Sequence, residues 1–210
     1  YLIFDFDGTI ADSAELYVNI LNSVSDKLRL PKLDINELRQ LTRMPLTERC
    51  KKLGIPLYRL TFLNRKMHKE IKNYVHEIEW VEGIEDQLIK LKNKGFKLVI
   101  ISSNSTENIK AFLKKSEFEI FDIIYTSSRV FSKHKVINKL IKRLKIDKEE
   151  AIYIGDEYRD IMACKKAGIK IISVAWGFDS KELLMEGHPD YIANTPEELT
   201  NIICRISGIN

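Results

Sequence analysis

Tyr1-Leu2-Ile3-Phe4-Asp5-Phe6-Asp7-Gly8-Thr9 opens the chain: apolar and aromatic residues run into two acids one residue apart, then into a glycine turn. Strand side chains alternate between faces, so residues two apart point the same way. The stretch therefore reads as a buried strand that aims Asp5 and Asp7 into one small space at its carboxyl end. Like charges that close repel, and one carboxyl keeps its proton unless a cation sits between them. A hard, oxygen-seeking ion such as Mg²⁺ answers that problem. The plainer alternative is a strand end whose acids simply face water.

Outward from this strand, the second half of the chain alternates strands and helices. Lys97-Leu98-Val99-Ile100-Ile101 is a short apolar run, followed by a helix capped by Ser105 or Thr106 and running to about Lys115. Phe118 to Tyr125 is a second run. Ser132 opens a helix in which Val136, Ile137, Leu140, Ile141 and Leu144 recur at helical spacing. Ala151-Ile152-Tyr153-Ile154 and Ile171-Ile172-Ser173-Val174-Ala175 are further runs, separated by a helix that closes at Gly168. Thr195-Pro196-Glu197-Glu198 starts the last helix, with an N-cap threonine and a proline in the first turn. Continuous apolar strands separated by helices predict an α/β fold, a doubly wound parallel sheet covered on both faces.

Between about Ser13 and Trp80 that alternation stops. Leu16, Ile20, Leu21, Val24 and Leu28 form a helical stripe ending before Pro31, and Asp34-Ile35-Asn36-Glu37 is a capping-box pattern. Pro45 and Gly54 bracket a third helix, and Leu57 to Ile78 reads as a longer fourth. No strand is expected there. The organisation is thus a core of 1–12 and 81–210 with an all-helical subdomain, 13–80, inserted after the first strand.

Composition sets looser bounds. The chain has 210 residues, 44% apolar content and a net charge of +4, with lysines interleaved among acids. That mild basicity suits an anionic small molecule and does not suggest nucleic acid. Cys50, Cys164 and Cys204, odd in number and scattered, read as reduced thiols of a cytoplasmic protein. No apolar run approaches the roughly 20 residues of a membrane span. The first residue is not methionine and already lies in a strand, so a few residues are expected in front.

Ligands of open parallel sheets bind beyond the carboxyl ends of the strands. Here those ends carry Asp5 and Asp7, then Ser102-Ser103-Asn104, then Gly155-Asp156-Glu157 with Asp160 following. Acids beside hydroxyls and a lysine suit metal-assisted phosphoryl transfer. Taken singly, each has a plain reading: Asp156 and Asp160 as acids favoured by a helix dipole, Ser102 and Asn104 as turn residues. Together they favour chemistry. His68, His76, His134 and His188 lack metal-ligand spacing, and Trp176 reads as packing.

The ordered set resembles the haloacid-dehalogenase (HAD) superfamily: Asp5-Phe6-Asp7-Gly8-Thr9 as its DxDGT motif, Ser102 as its second-motif hydroxyl, Lys133 as its third-motif lysine, and Gly155–Asp160 as GDxxxD. The helical insertion resembles a C1 cap. The segments Val174–Phe178 and Pro189–Leu199 are similar to those of phosphoglycolate phosphatases. The resemblance implies a Rossmann-like core and a Mg²⁺-dependent phosphatase acting on a small phosphorylated metabolite. Asp5 would be the nucleophile and Asp7 the general acid and base. Asp5, the Asp7 backbone carbonyl and Asp156 would hold Mg²⁺, with Asp160 and Glu157 in support. Ser102, Ser103 and Asn104 would hold the phosphate and Lys133 would balance charge, Lys135 being the alternative. Arg43, before Met44-Pro45, would either reach a second anionic group or be a plain surface arginine.

Other readings remain at this point. Dehalogenases proper use a lone aspartate without Mg²⁺, which does not suit Asp7 and Asp156. A phosphomutase would return its phosphoryl group, and no residue announces that. A phosphoaspartate switch module would share the acids and lysine but leaves the helical insertion unexplained. An inactive binding protein would not need every motif residue. Neither substrate identity nor oligomeric state is legible.

Overall fold

The computed structural model describes residues 1–28, 30–116, 119–127 and 131–209. Six strands form one sheet: β1 (Leu2–Phe4), β4 (Leu98–Ser102), β5 (Ile123–Thr126), β6 (Ile152–Gly155), β7 (Lys170–Val174) and β8 (Tyr191–Ala193). Their order is β5-β4-β1-β6-β7-β8 and every pairing is parallel. Phe4 pairs with Ile100 on one side and Ile154 on the other, so Asp5 emerges at the middle of the sheet. The chain runs from β1 outward through β4 and β5, then returns to β6 beside β1. That reversal of direction opens the crevice where parallel sheets bind ligands.

Alternation along β1 divides the core. Leu2 and Phe4 face the side covered by α5 (Ile84–Asn93) and α10 (Pro196–Ser207), where Leu88, Leu91, Leu199 and Ile203 are fully buried. Ile3 faces the other side, against α7 (Lys133–Leu144) and α8 (Tyr158–Ala167), with Val136, Ile137, Leu140 and Ile161. Both faces being dry explains why these strands are continuous apolar runs. The first residue of α7 and the first turn of α8 thereby come up beside Asp5. The remaining core helices are α6 (Thr106–Leu113), whose N-cap Ser105 accepts from the Asn108 N–H, and α9 (Lys181–Glu186).

The segment after β1 is mostly helical, as expected: α1 (Ala14–Leu28), α2 (Ile35–Leu41), α3 (Leu46–Lys52), a 3₁₀ turn at Leu57–Arg59, and α4 (Leu60–Ile71). The capping box forms in both directions, Glu37 N–H to Asp34 Oδ1 at 2.8 Å and Asp34 N–H to Glu37 Oε2 at 2.9 Å. Two expectations need correction. A strand does lie within 13–80: β3 (Glu79–Trp80) pairs antiparallel with β2 (Ala11–Asp12), forming a two-stranded ribbon where the chain leaves and rejoins the core. Two-residue strands are too short to show alternation. The fourth helix also ends at Ile71, followed by turns, rather than at Ile78. β8 was not anticipated, being three residues long, and Phe118, the expected start of the second apolar run, lies outside the described residues. No helix among the described residues is long and apolar enough to cross a membrane.

Candidate active site

Asp5 sits just past the central strand and is 4% exposed. Its Oδ1 accepts the Phe6 N–H at 2.8 Å, and its Oδ2 accepts from Lys133 Nζ at 2.6 Å. The same ammonium reaches Asp160 Oδ1 at 2.5 Å, bridging two acids from opposite ends of the sequence. Lys133 is the buried lysine of α7, whereas Lys135 is exposed. Burial alone would push the Lys133 amine down; the carboxylates of Asp160 and Asp5 reverse that and raise it.

Asp156 ends β6 beside Asp5 and is fully buried. Thr9 Oγ1 donates to its Oδ1 at 2.8 Å, and the Phe178 N–H donates to its Oδ2 at 2.7 Å. A Cβ at Gly8 (φ +77°) or Gly177 would run into this carboxylate, so both glycines exist to let the backbone close around it. Burial, and then the charges of Glu157, Asp5 and Asp160, push its carboxyl well above the usual range. Asp160 is pushed up to about 7, mainly by burial.

Carboxylate oxygens of Asp5, Asp156 and Asp160 lie within 4.8 Å of one another, a spacing one metal ion can span. The donor set is all oxygen, as Mg²⁺ or Ca²⁺ prefers. Charge makes the same point. Asp5, Asp156, Glu157 and Asp160 are buried together, facing the buried Lys133 and the half-buried Arg159. A divalent cation offsets that deficit, so these residues fit one.

Asp7 faces a different set of partners. Asn104 Nδ2 donates to its oxygens at 3.1 and 3.2 Å, and Ser13 Oγ donates at 3.2 Å. Withdrawal from water, then the charge of Asp5, pushes its carboxyl up to about 7. The Asp7 side chain thus has hydrogen-bond partners of its own next to Asp5.

A cavity of about 150 Å³ is lined by Asp5, Asp7, Tyr17, Arg49, Asn64, Ser103, Glu157, Arg159 and Phe178. The residues expected around the phosphate take different places. Ser103 lines this cavity and Ser102 does not, the Ser102 hydroxyl accepting the Asn104 N–H at 2.9 Å. Asn104 reaches the site through Asp7. Arg43 is exposed and lines no part of the cavity; Arg49 and Arg159 are its guanidinium groups.

Arg159, paired with Glu157 through Nε at 2.6 Å, was missed from sequence although a signal existed. An arginine in the first turn of a helix opposes the helix dipole, and such a cost implies a partner. Tyr17, Arg49 and Asn64 come from α1, α3 and α4, and no local pattern marks them. Trp176 does pack, as expected, its indole donating to Thr9 O at 3.2 Å.

Residues 2–174 match the family model described as haloacid dehalogenase-like hydrolase. The chain belongs to that family. A phosphoglycolate phosphatase of Synechococcus elongatus is 27% identical over 98% of this chain and 97% of its own. A pyrophosphatase, PpaX, of Bacillus velezensis is 27% identical over 96% of this chain and 94% of its own. A solved structure described as a predicted phosphatase from Clostridium acetobutylicum is 29% identical, covers 98% of both chains and superposes with a TM-score of 0.83. This hydrolase therefore shares its fold and length with relatives named as phosphatases and pyrophosphatases.

Proposed function

We propose that this hydrolase is a Mg²⁺-dependent phosphatase that cleaves a small phosphomonoester through an aspartyl-phosphate on Asp5. The observation that carries the reading is the convergence of Asp5, Asp156 and Asp160 around Lys133, with Asp7 beside them and held by Asn104. Mg²⁺ would be held by Asp5, Asp156 and Asp160 with the Asp7 backbone carbonyl, and would offset charge on the phosphoryl oxygens.

The chain's own residues supply the rest. The Asp5 carboxylate attacks phosphorus, forming one P–O bond as the bond to the leaving oxygen breaks. Asp7, protonated near neutrality, gives its proton to that oxygen. It then takes a proton from water as the water oxygen bonds to phosphorus and Asp5 is released. Ser103 and Arg159, which line the cavity, bind phosphoryl oxygens. Asn104 orients Asp7 through two hydrogen bonds.

In the same reading, 13–80 is a cap that closes over the core and keeps bulk water out. Four ties support it. Arg49 pairs with Asp179, the Ser180 N–H donates to Thr42 O, Asn64 donates to Ser103 O, and the Tyr17 ring packs edge-on against Phe178. Three unpaired cysteines support a cytoplasmic location.

Phosphate release from p-nitrophenyl phosphate tests the reading. Turnover should need Mg²⁺, stop with a chelator, and fall by roughly a hundredfold or more in Asp7→Asn. Mg²⁺ should also raise the unfolding midpoint of the wild type and not of Asp156→Asn. Equal turnover with and without chelator contradicts the proposal.

A further inference from the structure

A second cavity, of about 270 Å³, lies under α1–α4 and shares Tyr17, Arg49, Asn64, Glu157, Arg159 and Phe178 with the catalytic cavity. These shared residues form a polar throat. Beyond it, every described residue lining the chamber is aliphatic or sulfur-bearing, among them Leu41, Cys50, Leu63 and Met67, each less than a tenth exposed. One space is thus divided by chemistry, with charged groups where phosphorus reacts and hydrocarbon beyond.

The division says what fits. A carboxylate or a second phosphate carried beyond the throat would find no side-chain donor other than the Cys50 thiol among the described lining residues and would lose its hydration without compensation. An apolar group would lose only water contacts. An apolar cavity of about 150 Å³ is large enough to take benzene, so this chamber accommodates roughly ten carbons.

We propose that the substrate is a phosphomonoester with an apolar leaving group, its chain or ring lying in the chamber while its phosphate lies among the acids. This rests on the phosphatase reading and selects within it against small, wholly polar esters such as phosphoglycolate, and against pyrophosphate. Arg49 and Asn64 stand at the throat and set how deep the ester oxygen sits.

Two measurements on the intact Mg²⁺-loaded protein test it. Calorimetric Kd values for n-alkylphosphonates, whose C–P bond survives the active site, should fall about fourfold per added methylene until the chamber fills. The kcat/KM values for n-alkyl phosphates should rise in parallel, with octyl phosphate above ethyl phosphate and phosphoglycolate. Leu63→Trp, which fills the chamber, should lower the ratio of octyl to ethyl phosphate turnover. Kd values independent of chain length, or a preference for phosphoglycolate or pyrophosphate over octyl phosphate, overturn the proposal. The two readings fail separately. Phosphate release with a flat chain-length profile sinks the chamber and leaves the phosphatase, whereas steep phosphonate binding without phosphate release sinks the hydrolysis and leaves the chamber.

Discussion

The acidic corner at the end of the sheet and the helical segment above it are held in opposite ways. At the corner, Asp156 is fully buried yet takes donors on both oxygens, and Lys133 bridges Asp5 and Asp160. In the helical segment the inner surface is hydrocarbon around a chamber, and a handful of polar ties reach the core. Buried polar networks fix geometry because each missing partner is costly. Apolar contacts are non-directional and tolerate exchange. On the proposed reading, a fold that fixes its chemistry on the sheet and leaves recognition to the helices can change substrate without disturbing the reacting groups.

Substitutions at each region can break or sharpen that contrast. The largest effect is expected from Asp5→Asn, which keeps the shape of the corner and removes the proposed nucleophile; kcat should fall at least roughly a thousandfold, while the circular dichroism spectrum stays unchanged. Lys133→Met leaves buried carboxylates without their bridging cation. Its stability in urea should drop by about 3–5 kcal/mol, and added Mg²⁺ should restore part of the loss. Arg49→Ala strands Asp179, which burial already pushes up to about 6, and frees one tie of the helical segment. A loss of about 2 kcal/mol is expected, with hydrogen exchange accelerating in α1–α4 and not in β4 or β6. Equal acceleration in both regions would mean that they unfold as one unit.

An effect of similar size is tied to pH. His68, on α4, is buried with its Nδ1 3.2 Å from the Tyr17 hydroxyl, and burial pushes it down to about 4 from an ordinary 6.5. The folded state therefore resists protonation. Stability from this group is complete above about 6.5 and drains away as pH falls towards about 4. At pH 5 the expected loss is about 2 kcal/mol relative to pH 7.5. His68→Gln should flatten that part of the curve, which urea midpoints at the two pH values would show.

The sequence foretold the sheet better than the helices. Strands buried on both faces, such as Leu98–Ser102 and Ile152–Gly155, write continuous apolar runs, and the acids at their ends stand out against them. Lys133 was legible only through resemblance, since a lysine at the start of a basic helix carries no sign of burial. The resemblance singled out Ser102, whereas Ser103 is the one that lines the cavity, and which of the two meets it depends on a turn in which Ser102 accepts the Asn104 N–H. Arg49 and Asn64 were invisible, because they meet the acids only once four helices have packed. The β2–β3 ribbon escaped notice for a simpler reason: two residues cannot show a period.

Acid quench of the Mg²⁺-loaded enzyme during turnover, followed by mass spectrometry, tests the central claim most directly. The account predicts a single phosphoryl group on the peptide carrying Asp5, absent in Asp5→Asn. Sustained turnover with Asp5 unmodified at every quench time would contradict it.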